Sequence, residues 1–152
     1  MTQEDKILLI KDLSARLPYA VTVEHTSGFR GTLHDITVHH MYDENDNIYD
    51  AICYTDFFGD EDNIYIEYFK PYLFPLSSIT EEQRNDISKL LIDTQKAYSP
   101  YGELNMKGCD NLFICTVKQA NVFINYCLNN HLDINGLIEK GLAIDATGLN
   151  IY

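Results

Sequence analysis

The run Thr32-Leu33-His34-Asp35-Ile36-Thr37-Val38 decides the fold. It is rich in β-branched residues, and Ile36 and Val38 alternate with polar neighbours, the period-two signature of a half-buried strand. Leu33 is out of phase with both. One extra residue between Leu33 and Ile36 would return all three to one face, so the run predicts a β-bulge that bends and twists the sheet.

Outward from this run lie further β-rich segments: Val21 with Val23, then Ile48–Thr55, then 64–69. The intervening turns, Thr26-Ser27-Gly28, 43–47 and 59–63, are made of residues that tolerate turn geometry. Connections this short join antiparallel neighbours. Residues 20–69 therefore read as a meander of four to five strands in a small, bent antiparallel sheet of SH3-like kind.

A helix precedes the sheet. Thr2 is placed as its N-cap with Asp5 at the third helical position, and Ile7, Ile10, Leu13 and Leu17 recur at helical spacing up to Pro18. After the sheet, Pro71 and Pro75 suit neither a strand ladder nor a helix interior, and they read as a hinge. The hinge separates a sheet-rich half, about 1–70, from a helical half, 71–152, within a single domain. Thr80-Glu81-Glu82-Gln83 is a capping box that opens a helix continued by Ile87, Leu90 and Leu91 and ended before Pro100. Thr116-Val117-Lys118-Gln119 is a second, leading into a stripe of Ala120, Phe123, Ile124, Cys127 and Leu128. Asp133 is expected to start a short last helix that Gly141 ends in a left-handed cap. The fold expected is α+β: an N-terminal helix, the bent sheet, then two to three C-terminal helices.

Charge is distributed regionally. Residues 31–69 contain no Lys or Arg and hold ten of the 23 acids, so they carry −10 of the formal −12. Such a field attracts basic protein surfaces and repels phosphate backbones, which argues against direct nucleic-acid binding. Within it, Asp43, Glu44, Asp46, Asp60, Glu61 and Asp62 fall on the turns and Tyr49, Tyr54, Tyr65 and Tyr68 on the strands. Tyrosine suits a surface with one apolar and one wet side, and acids around it would form a polar rim. The first nine of these residues other than Tyr68 are the candidate binding set.

Other constellations fail on chemistry. Asp43-Glu44-Asn45-Asp46-Asn47 offers alternating oxygen ligands, but an EF-hand needs Gly at its sixth place and a bidentate acid at its twelfth, where Ile48 and Tyr54 stand. Cys127 and His131 are four apart and could share a zinc ion, yet Cys109 and Cys115 are spaced wrongly for a knuckle, and Cys127 belongs to an apolar stripe. His39 and His40 point to opposite faces of a strand. No nucleophile elbow, phosphate loop or cofactor fingerprint is found, so no catalytic residue, metal or cofactor is assigned. The run 7–10 is too short for a signal segment or membrane span, which with four unpatterned cysteines implies a reducing cytoplasmic setting and no membrane partner.

Three strings carry a resemblance. Lys70-Pro71-Tyr72-Leu73-Phe74-Pro75-Leu76-Ser77-Ser78-Ile79-Thr80-Glu81-Glu82-Gln83, Gly136-Leu137-Ile138-Glu139-Lys140-Gly141-Leu142-Ala143-Ile144 and residues 11–19 resemble segments of an uncharacterised protein family of gut Bacteroidales genomes, their phages and mobile elements. The resemblance implies a phage or mobile-element setting and supplies no catalytic residue. The expected function is a non-enzymatic binding module whose acidic, tyrosine-rich surface docks a basic host-protein surface, with inhibition of host defence as one form of it. The alternative is a small cytosolic enzyme with a site between sheet and helices.

Overall fold

A computed structural model describes residues 1–41, 48–55, 64–96 and 117–152. The chain is α+β and falls into two compact units, Met1–Ser78 with Leu128–Tyr152, and Ile79–Cys127.

In the first unit, helix α1 (Gln3–Arg16) begins at the expected N-cap, Thr2, and the cap closes into a full capping box: Thr2 Oγ1 accepts from the Asp5 amide, and the Asp5 carboxylate accepts from the Thr2 amide. Its most buried residues are Leu9, Asp12, Leu13 and Arg16, while Ile10 and Leu17 pack at the margin of the core. The inward face is thus rotated from the expected stripe, and it carries an acid and a base. The helix tightens into one 3-10 turn at Leu17–Tyr19, with Pro18 inside it and Ala20 left-handed after it.

The strands are β1 (Thr22–His25), β2 (Arg30–Met41), β3 (Ile48–Thr55), β4 (Ile64–Tyr65) and β5 (Phe69–Pro75). They are antiparallel in the order β4-β3-β2-β1-β5. The bulge lies where the phase of Leu33 required it: Leu33 pairs with Thr55 and Asp35 with Tyr54, leaving His34 as the extra residue. Leu33 is buried and Ile36 packs against the same core, which a regular strand would not allow.

Pro71 is a correction to the hinge. It is buried within β5, opposite Val23, and is the last β5 residue paired with β1. From Tyr72 onward β5 takes new neighbours, β7 (Ile144–Asp145) at Tyr72 and Leu73 and β6 (Leu132–Asp133) at Phe74 and Pro75, both parallel. A proline at the end of a ladder removes no bond from it, so the strand continues. The two short parallel strands make the sheet mixed.

The last expected helix is replaced by β6, a turn and β7. Asp133, buried, accepts from the Leu137 and Ile138 amides at 2.9 and 2.8 Å. Leu142 and Gly141 donate back to Leu137 and Ile138, and Gly141 is left-handed at φ +70°. This is a Schellman closure around a single turn: the cap at Gly141 forms, but Asp133 stands in a strand and only one turn lies between. The core of this unit joins α1, the sheet and this segment through Leu9, Leu13, Val21, Val23, Leu33, Ile66, Phe69, Leu73, Leu137 and Leu142.

In the second unit α2 (Glu81–Lys96) opens with the Thr80–Gln83 box, its two reciprocal bonds at 2.9 and 3.2 Å. Ile87 and Leu91 are half-buried, whereas Leu90 is 42% exposed and does not belong to the inward face. Helix α3 (Val117–Asn129) carries the expected stripe with Cys127 buried and Ile124 exposed. The Gln119 amide donates to the Leu91 carbonyl at 3.3 Å; Thr116, its expected capping partner, lies outside the described residues.

Candidate functional site

Of the nine candidate binding residues, Asp43, Glu44, Asp46, Asp60, Glu61 and Asp62 lie outside the described residues. Tyr49 and Tyr54 fall on β3, where their backbones pair with His40 and Asp35. Tyr65 falls on β4, which borders one end of the sheet and pairs only with β3 among the described residues. It is 38% exposed, and Tyr68, in the 3-10 turn that follows, is 44% exposed.

This margin is tied to the β1–β2 turn. The Thr26 amide donates to the Tyr68 carbonyl at 2.9 Å, and the His25 ring lies 5.9 Å from that of Tyr68 and 5.4 Å from that of Phe69. Gly28, at φ +87°, turns the chain so that Phe29 projects with 47% exposure. The Ser27 amide donates to His25 Nδ1 at 3.2 Å and the Ser27 hydroxyl lies 2.6 Å from the same nitrogen, which fixes the ring. Phe29, Tyr65 and Tyr68 are therefore exposed aromatics on a backbone held by hydrogen bonds. Such aromatic side chains supply contact area at low entropic cost.

Two polar assemblies lie elsewhere in the first unit. On the sheet, Glu24 and Arg30 are cross-strand partners bonded at 2.9 Å, and the Arg30 guanidinium lies 5.0 Å over the Tyr72 ring. The Tyr72 hydroxyl donates to Glu24. That bond, then Arg30, holds the Glu24 carboxyl below its usual range, while burial first and Glu24 second push Tyr72 up to about 12. The acid is ionised and the phenol is kept protonated, so the trio acts as a satisfied clamp rather than as a proton donor poised near neutrality.

The second assembly was not legible in the sequence. Asp12 and Arg16, one turn apart on α1, are both fully buried; Arg16 Nε donates to Asp12 at 2.6 Å and Nη2 at 3.1 Å. Arg16 Nη2 also donates to the Leu132 carbonyl at 2.8 Å, and the Asn135 amide donates to Asp12 at 2.8 Å. The ion pair thus staples α1 to β6 and the turn after it. The available signal was Asp and Arg at i and i+4 on either side of Leu13, a spacing more often found on a solvated face.

Cys53 is buried, and burial followed by Asp35 pushes its thiol up to about 12, which disfavours the thiolate. Helix α3 ends at Asn129, so Cys127 and His131 are not one helical turn apart as their spacing suggested; His131 is left-handed and its ring stacks on Tyr152. Among the described residues no three His, Cys, Asp or Glu side chains gather as a metal site, and no helix is long and apolar enough to cross a membrane. Comparison with protein-family models, curated proteins and solved structures finds no match.

Proposed function

We propose that this chain is a non-enzymatic protein-binding module of phage or mobile-element origin that docks a basic surface of a host protein in the cytoplasm. The observation that supports this most is the pair of exposed tyrosines, Tyr65 and Tyr68, at a margin of the sheet. Asp60, Glu61 and Asp62 immediately precede this margin in sequence. Aromatic anchors give a partner apolar area, and the acids steer a basic partner to them; inhibition of a host defence protein is one form this docking would take.

The test compares the wild-type chain with a variant in which Asp43, Glu44, Asp46, Asp60, Glu61 and Asp62 are changed to Asn or Gln. A protein captured from host lysate by the wild type is purified, and its association rate with each chain is measured at about 50 and 300 mM salt. Association slows about tenfold or more on neutralisation, loses its salt dependence, and the melting temperature stays the same. An association rate unchanged by neutralisation would overturn the proposal.

A further inference from the structure

The β1–β5 register runs His25 to Phe69, Glu24 to Lys70 and Val23 to Pro71, so its next rung would join Thr22 to Tyr72. There the Tyr152 hydroxyl enters instead: it accepts from the Thr22 amide at 3.3 Å and donates to the Tyr72 carbonyl at 2.7 Å. The phenol thus stands in for a rung of the sheet. Its ring stacks on the His131 imidazole, centroids 3.8 Å apart and planes within 6°, and lies 5.9 Å from the Phe74 ring. Residues 147–150 between this anchor and Ala146 are exposed, Tyr152 itself is 47% exposed with its hydroxyl turned into the sheet, and Ala146 is fixed by its amide to the Leu73 carbonyl at 2.8 Å.

We propose that the 146–152 segment is a strap that acid releases, because Tyr152 is stacked on the imidazole of His131. Among the described residues His131 Nδ1 is buried with no hydrogen-bond partner, and so is Nη1 of the fully buried Arg16, whose Nη2 is bonded to the carbonyl of Leu132, the next residue after His131. A second proton on the imidazole would be placed in a desolvated site beside a guanidinium. Among the described residues, the acids on the elements around the ring are already engaged. On α1, Asp12 is engaged by Arg16 and Asn135; on β6, Asp133 is engaged by the Leu137 and Ile138 amides; β5 contributes the uncharged Phe74 and the carbonyl of Tyr72. Tyr152 itself is pushed up to about 12 by burial and stays protonated. In keeping with this, burial and then Arg16 pull His131 down to about 4 from an ordinary 6.5. The closed strap therefore binds fewer protons than the open one between these values. Its hold is complete above about 6.5 and is lost progressively as pH falls toward 4.

Opening frees the Thr22 amide, so its hydrogen-exchange protection, corrected for intrinsic exchange and measured by NMR on the full chain, reads the strap directly. Between pH 6.5 and 4.5 protection at Thr22 falls about 40-fold in the wild type, the factor that linkage gives for this shift. In His131→Phe, which keeps a flat ring under Tyr152 but cannot titrate, it changes by less than about threefold. Equal losses in both proteins, or no loss in the wild type, overturn the proposal. Imidazole titration gives a second reading: Tyr152→Ala raises the His131 midpoint toward 6.5, and an unmoved midpoint contradicts the strap.

Discussion

Asp12 and Arg16 show what single residues contribute beyond pattern. Two charges at 0% exposure are tolerated because each carboxylate oxygen accepts a hydrogen bond and Nη2 reaches a carbonyl 116 residues away. Removing one partner leaves the other charged and buried. Asp12→Ala should therefore destabilise by about 3 to 5 kcal/mol in urea denaturation, whereas Asp12→Leu combined with Arg16→Met should be far milder than either single loss suggests. A cost for Asp12→Ala near that of a surface change would show that the pair is solvated. Helical periodicity identified Leu13 but not this pair, because a charge at the right phase reads as an exposed face until its tertiary partners are known. Tyr152 escaped for the same reason: its partners Thr22, Tyr72 and His131 are remote in sequence.

At the scale of elements, local chemistry was legible and partner choice was not. Both capping boxes of α1 and α2, the bulge at His34 and the left-handed Gly141 follow from short-range rules that act within a few residues. Thr80→Ala should cost about 1 kcal/mol by removing the acceptor of the Gln83 amide, measured by chemical denaturation. Leu90, at 42% exposure, should cost no more than about 1 kcal/mol when changed to Ala, against the 2 to 5 of a core leucine such as Leu13. Gly141→Ala should destabilise by about 1 kcal/mol, since φ +70° crowds any Cβ against its own backbone; a neutral result would mean the closure rearranges. Pro71 stays within the strand because proline is excluded from a ladder only where its missing donor is needed, and the handover from β1 to β7 and β6 after Pro71 is a long-range fact. The expected last helix failed on the same ground: Asp133 pairs with Pro75 in a parallel ladder, leaving only one turn for Gly141 to close.

On the scale of the whole molecule, the decisive feature is that Leu128–Tyr152 belongs to the same compact unit as Met1–Ser78. It supplies Leu137, Leu142 and Ala143 to the core, the parallel strands β6 and β7, the carbonyl that Arg16 needs, and the hydroxyl that replaces a sheet rung. The exposed aromatics of the β4 margin rest on that unit, so its integrity precedes any docking by Tyr65 and Tyr68. The most direct test is equilibrium denaturation of the chain truncated after residue 127, followed by circular dichroism and amide NMR beside the full chain. Truncation should abolish the cooperative transition of the sheet and leave α1 and β5 unprotected, because a buried Arg16 without the Leu132 carbonyl and a core stripped of three apolar side chains cannot offset the entropy of ordering. A truncated chain that unfolds cooperatively with native-like strand protection would contradict this architecture.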